Sequence, residues 1–298
     1  MDIKQLRFLV ALENSQHFGQ AAEHCHVTQP TLSMRLKSLE EELGIALVKR
    51  GQRFEGFTEE GKRILAWAKQ VLSAYDALKI EASACKGQII GKVRIGIVPL
   101  CSYSPIPLLK QLQQDYPQVE VELRALSSEH ILEQLSRQQL DAGIAYLEQP
   151  GERFQALDLG ETRMGLLYHP QLIQQLTPDS LEEISWSALP QLPLGLLSQG
   201  MHFRQAIEHN FQHLGLKLQP ILETDSVHLL VQSVLAGHCC SIMPYPSYLA
   251  ASVPGLKLIP ISGGRTLYPL RLLIRHSEPT PILAKMLMEA AIKTQQIS

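Results

Sequence analysis

No apolar run in this chain approaches the roughly 18 to 20 residues that a membrane-spanning helix requires, so a bilayer-inserted helix is excluded. The opening Met1-Asp2-Ile3-Lys4 has none of the charged-then-apolar layout of an export signal, and the expected compartment is the cytoplasm. Cysteine is sparse. Cys25, Cys85, Cys101, Cys239 and Cys240 are scattered and show no C-x-x-C spacing, which leaves reduced, mostly buried thiols rather than a disulfide framework or a zinc site. No G-x-S-x-G, G-x-x-x-x-G-K or H-E-x-x-H stretch occurs, so no catalytic residue and no cofactor are expected. Charge of one sign is missing too: the net charge is -2, and a nucleic-acid partner can be argued only from where the charges sit.

What is present is the composition of an ordinary globular protein, 45% hydrophobic and 19% charged, with a length of 298 residues that suits two or three domains. Over residues 1–65 the charges balance, yet Val27 to Leu39 holds only Arg35 and Lys37, and Gly44 to Phe54 only Lys49, Arg50 and Arg53. Two positive strips therefore lie inside a neutral region. Ile3, Leu6 and Val10 recur at helical spacing and predict a helix ending near Ser15, followed by a short one from about Phe18 to His24. Thr28 can cap a third helix, with Pro30 in its first turn where no amide donor is lost.

In that third helix Leu32, Leu36, Leu39 and Leu43 form one inward stripe. The opposite face then carries Pro30, Met34 and Lys37, with Thr31 and Ser33 at its shoulders, while Arg35 lies nearer the buried stripe. Short polar and basic groups without a carboxylate suit a helix lying in a major groove. Gly44 ends the helix, and residues 49–58 read as a small basic hairpin that would meet the flanking DNA backbone. From charge and periodicity alone, a purely structural three-helix bundle fits equally.

The run Leu6-Arg7-Phe8, Ala21-Ala22-Glu23, Val27-Thr28-Gln29-Pro30-Thr31-Leu32-Ser33, Leu39-Glu40-Glu41-Glu42-Leu43-Gly44, Leu47, Arg50 and Thr58-Glu59-Glu60-Gly61 resembles the LysR-type transcriptional regulator family, in register throughout. The resemblance implies a winged helix-turn-helix, with Gln29, Pro30 and Ser33 approaching DNA on the third helix and Arg53 on the wing. The full set of DNA-facing candidates is Thr28, Gln29, Pro30, Thr31, Ser33, Met34, Arg35, Lys37, Arg50 and Arg53. Met34 stands where the family usually has arginine, which puts guanine readout there in doubt.

From Glu59 to about Lys86 no proline interrupts the chain, and Ile64, Ala68, Val71, Tyr75, Leu78 and Ala82 step as a heptad seam. A helix packed on its own domain would show the same spacing. The reading adopted is pairing with a second copy, since two winged helices read a two-fold operator. The family resemblance implies that such dimers associate further into homotetramers.

Beyond residue 90 short apolar strands alternate with helices, which argues for parallel α/β sheet. This part also resembles the family's effector domain, built like a periplasmic solute-binding protein. The expected organisation is a winged helix-turn-helix over 1–58, a dimerisation helix over 59–87 and a two-lobed α/β effector domain over 88–298. Lobe I would take about 91–163 and 267–298, and lobe II about 164–266.

Ligands of such folds bind where helix N-termini converge, since free amides and the helix dipole favour anions. Four loops qualify, Pro99-Leu100-Cys101-Ser102, Ser127-Ser128-Glu129, residues 198–202 and residues 224–228. The effector-contacting candidates are Pro99, Leu100, Cys101, Ser102, Ser128, Gln199, His202, Ser226 and His228; alternatively the serines serve only as helix caps. His202, His209 and His213 share one predicted helix, but no carboxylate or cysteine ligand accompanies them at suitable spacing, and no metal is expected. The resemblance implies a reactive cysteine pair around Gln199 to Gly215 in peroxide-sensing members, and that stretch has none here.

Taken together these features describe a regulator that binds double-stranded promoter DNA and answers to a small, anionic effector, with a second copy and RNA polymerase as further partners and no membrane. The alternatives are a solute-binding or enzymatic α/β protein, or a partner-binding protein whose helical module does not hold DNA.

Overall fold

The computed structural model describes residues 1–49, 54–174, 182–199, 202–247, 249, 252–265 and 267–297. The chain forms two compact units, Met1–Gly91 with Ser136–Gln139, and Lys92–Leu135 with Leu140–Ser298. No described helix is long and apolar enough to cross a membrane.

In the first unit, α1 (Ile3–Ser15) opens on a reciprocal cap in which Asp2 Oδ1 accepts the Gln5 amide and Gln5 Oε1 accepts the Asp2 amide, each at 2.8 Å. α2 (Phe18–His24) follows. α3 (Gln29–Leu43) starts on Thr28, whose hydroxyl accepts the Thr31 amide, and stops at Gly44, whose φ of 69° suits a residue without Cβ. Leu32 and Leu39 are fully buried and Leu36 nearly so, against Leu6, Leu9 and Leu12 of α1 and Leu47 beyond α3. The expected hairpin is present at its base, where Val48 bridges Phe57 in antiparallel fashion and the Lys49 amide donates to the Gly56 carbonyl. Its tip, with Arg50 and Arg53, lies outside the described residues.

α4 (Glu59–Ala84) is capped by Thr58, which accepts the Gly61 amide at 2.8 Å and donates to the Ala46 carbonyl at 2.7 Å. Gly61 sits against the backbone of Leu47, and a Cβ there would run into the Leu47 carbonyl. The first turns of α4 are thereby seated on the helical core, with Leu65 and Ala68 buried in it.

The second unit begins with β1 (Gly91–Ile97), α5 (Ile106–Asp115), β2 (Val119–Ala125), α6 (Ser128–Ser136), β3 (Ala142–Tyr146) and β4 (Phe154–Asp158). The chain then passes through β5 (Arg163–Tyr168), α7 (Pro170–Gln174), β6 (Ile184–Ser185), a 3-10 turn (Trp186–Gln191), β7 (Gly195–Leu197), α8 (His202–His213), β8 (Leu222–Thr224), α9 (Val227–Leu235), β9 (Ser241–Tyr245) and β10 (Lys257–Ser262). It returns through β11 (Leu270–Arg275) and ends in α10 (Ile282–Ile297).

One sheet runs β2-β1-β3-β11-β4 and another β6-β10-β5-β9, with β7 and β8 paired beside them. The α/β architecture has mixed rather than all-parallel sheets. β1 and β3 are parallel, but β11 lies antiparallel between β3 and β4, and β5 is antiparallel to both β9 and β10. The reason is topological: β11 re-enters the first sheet after the excursion through the second, so it arrives from the opposite end.

Candidate DNA interface, pairing helix and ligand cleft

The burial of Leu32, Leu36 and Leu39 turns the other side of α3 outward. Gln29, Pro30, Met34, Arg35 and Lys37 are exposed, and Thr31 and Ser33 are half-buried. Met34 is 64% exposed. The Thr28 and Thr31 hydroxyls hydrogen-bond each other at 2.8 Å. Arg35 departs from its expected role, because its guanidinium turns back to Asp2 at 3.6 Å and its carbonyl accepts from Gln5 Nε2 at 3.3 Å. Lys37 faces Glu41 at 3.7 Å, one turn along the helix. Both pairs are solvent-exposed and worth at most about 1 kcal/mol, so a phosphate can compete for either cation.

Glu40 acts here although nothing in its spacing announced it. Its carboxylate accepts the Leu47 amide at 2.6 Å and the Val48 amide at 3.0 Å, fixing the wing's first strand to α3. The pattern of an acid ending a carboxylate-free run was visible in the sequence, but not its two amide partners.

On α4 the expected seam divides. Ala68 is buried and Ile64 packs on the helical core, so these two positions are corrected from a pairing role to an intramolecular one. Val71 and Leu78 are exposed large apolar residues, as is Trp67 at 66%, and Ala74 and Ala82 are exposed beside them. The free stripe is therefore Trp67, Val71, Ala74, Leu78 and Ala82, one helix face away from the core. Tyr75 is half-buried, with Lys79 Nζ 4.8 Å from its ring centre and the Arg7 guanidinium at 6.0 Å. A heptad reading merged the two faces because both are apolar and both repeat at nearly the same period.

In the second unit all four predicted loops leave the carboxyl ends of strands and lead toward helices, β1 to α5, β2 to α6, β7 to α8 and β8 to α9. That is where open α/β sheets bind ligands. Ser128, Glu129, Leu132, Tyr146, Leu147, Glu148, Gln149 and Tyr268 line an open cavity of about 530 Å³. Ser128 and Tyr146 are 3% and 4% exposed; the Ser128 hydroxyl has no hydrogen-bond partner among the described residues, while the Tyr146 hydroxyl faces Ser102 and Thr162. Ser127, not Ser128, caps α6, accepting the His130 amide at 3.3 Å, which frees the Ser128 hydroxyl. Beside Tyr146, the Ser102 and Thr162 hydroxyls bond each other at 2.6 Å, joining the β1–α5 loop to the residue before β5.

The remaining candidates divide. Leu100 is buried in the apolar core that β5 and β9 share, and the Cys101 thiol donates to the Tyr103 carbonyl at 3.0 Å; both are corrected from ligand contacts to packing. Burial pushes the Cys101 thiol up to about 11, so it stays protonated. Ser226 caps α9 by accepting the Leu229 amide at 3.3 Å. Pro99, Gln199 and His228 are exposed, and among the described residues no hydrogen bond ties Gln199, Ser226 or His228 to Ser102, Ser128 or Tyr146. His202 begins α8, its side chain outside the description. His209 Nε2 meets Arg265 Nη1 at 2.8 Å, and among the described residues no set of three histidine, cysteine or acidic side chains is placed to hold a metal.

Two family models match, the bacterial regulatory helix-turn-helix protein of the lysR family over residues 3–62 and the LysR substrate binding domain over residues 86–296. The chain belongs to the LysR family. This LysR-family regulator is 31% identical over 256 residues to a hydrogen peroxide-inducible genes activator of Pectobacterium carotovorum subsp. carotovorum, covering 85% of this chain and 82% of that one. A full-length OxyR variant from Pseudomonas aeruginosa matches with a TM-score of 0.73 at 26% identity, over 98% of this chain and 94% of that one. Full-length CbnR complexed with its target DNA matches with a TM-score of 0.70 at 20% identity, over 98% and 99%, which shows a common fold.

Proposed function

We propose that this LysR-family regulator docks the first two turns of α3 in the major groove of promoter DNA, pairs with a second copy through the exposed stripe of α4, and is switched by a small molecule held beside α6. The observation that carries the DNA reading is the division of α3. Three leucines are buried on one side, while the outward positions from Gln29 to Ser38 hold no carboxylate. Exposure of Trp67, Val71 and Leu78 supports the pairing, since a solvated helix rarely lines up three large apolar side chains without a partner. The unpartnered, buried Ser128 hydroxyl supports the ligand cleft, because buried polar groups are normally hydrogen-bonded. The cavity's charged lining is Glu129 and Glu148, both acidic, so a ligand with donor groups fits as well as the anion that the helix N-termini favour.

Mobility shift of the full-length protein on duplex from upstream of its own gene tests the DNA reading. Affinity should fall steeply with salt between about 50 and 200 mM as bound counterions are released. No salt-dependent shift on that duplex or on any competitor would remove it. For the cleft, a thermal-shift screen of small carboxylates and small amines should yield a hit that Ser128→Ala weakens; if every hit survives that substitution, the effector binds elsewhere.

A further inference from the structure

We infer that Met34 is a specificity-determining residue that reads the 5-methyl group of a thymine, an inference that rests on the docking of α3 proposed above. Met34 is 64% exposed at the centre of the outward face, with the exposed Pro30 one turn before it. Four of the polar groups around this apolar apex have partners in the protein. Thr28 and Thr31 share a hydrogen bond at 2.8 Å, Arg35 turns away to Asp2 at 3.6 Å, and Lys37 faces Glu41 at 3.7 Å. Glu41 lies on the same outward stripe as Met34, two turns further along. Its charge disfavours phosphates there, so the helix meets DNA by its first two turns and Met34 is the last large side chain to enter the groove. Gln29 and Ser33 flank it with hydrogen-bonding groups.

The major-groove edges of adenine, guanine and cytosine offer donors and acceptors, and an unbranched thioether can satisfy none of them well. Thymine alone adds an apolar group, its methyl. A flexible methionine stem against that methyl removes both from water, and the adjacent Pro30 ring extends the apolar contact. The site preferred by this protein therefore carries a T·A pair opposite Met34.

The test needs no known operator. Duplexes enriched by the full-length protein from a random library are resynthesised with each thymine replaced in turn by deoxyuridine, which removes the methyl and nothing else. Affinity should fall about fourfold at the position facing Met34, the effect of one methyl group returned to water. Met34→Ala should bind the same duplex but lose the thymine–uracil difference, and Met34→Leu should keep it. If no replacement costs the wild-type protein more than about twofold, or if Met34→Ala shows the same cost, the contact does not exist. Enrichment of no duplex at all overturns this inference together with the docking of α3, whereas enrichment without methyl dependence overturns this inference alone.

Discussion

The Glu40 carboxylate receives the Leu47 amide at 2.6 Å, so a side chain in the last turn of α3 holds the backbone of the wing. The same carboxylate takes the Val48 amide at 3.0 Å, so two consecutive wing amides are tied to one side chain of α3. Glu40→Ala strands two backbone donors and should cost about 1.5–3 kcal/mol, the range for hydrogen bonds to a charged group. Glu40→Gln keeps an acceptor and should cost less. Urea unfolding gives the loss, and hydrogen exchange at the Leu47 and Val48 amides should quicken in Glu40→Ala.

Gly61→Ala places a methyl group against the Leu47 carbonyl at the start of α4. Alanine improves helix propensity by about 1 kcal/mol, yet overpacking against backbone costs about 1–3 kcal/mol, and backbone cannot rotate away. The expected outcome is net destabilisation, read as a lower melting temperature. A rise would mean that α4 shifts along its seat.

The two faces of α4 should respond differently to the same charge. Leu78→Glu lies on the exposed stripe and should leave the monomer folded while weakening self-association by tenfold or more, a change on the order of 1.4 kcal/mol. Ala68→Glu buries a carboxylate in the helical core and should unfold the first unit. Sedimentation equilibrium with circular dichroism separates these outcomes. Unchanged association in Leu78→Glu would place the dimer contact on another surface.

Hydrogen bonds from Lys92 and Arg124 hold the Glu122 carboxyl down at about 2, against an ordinary value of 4.5. Because the folded value lies below the unfolded one, its contribution is present above pH 4.5 and is lost as pH falls toward 2. Glu122→Gln should flatten that acid limb, and added salt should shrink the difference between the two proteins, since the cluster is open to solvent. Asp141 behaves in reverse. Burial raises its carboxyl, so its contribution is present at low pH and is lost as pH rises past the folded value.

Thiol reactivity should follow burial. Cys85 is exposed, whereas Cys101, Cys239 and Cys240 are buried, with burial raising Cys101 to about 11 and Cys240 to about 12. Iodoacetamide at neutral pH should label Cys85 first and leave those three unmodified until the chain unfolds, as mass spectrometry would show. Rapid labelling of Cys101 would show that its thiol is reachable in the folded chain.

Much of the helical unit was readable from residue order. Thr28, Pro30 and Gly44 mark the ends of α3 by local backbone chemistry, and the leucine stripe tells which side goes inward. The reciprocal cap of Asp2 and Gln5 was equally local and could have been found from their spacing of three. In the second unit β4 carries little signal of its own, because its half-buried residues alternate weakly and its pairing with β11 joins residues more than a hundred positions apart.

The order of residues by itself determined where most helices start and stop, most of the strands of the second unit, and that α3 has a carboxylate-free side. These are effects of neighbours within one or two turns, where capping, φ preference and periodicity act. Only the tertiary structure decided that Ile64 and Ala68 face the core while Trp67 and Leu78 do not, that Arg35 turns to Asp2, that Glu40 grips the wing, and that β11 runs against β3. In each of these the deciding partner lies beyond the element that carries the side chain, and an apolar or charged side chain carries no mark of which surface will meet it.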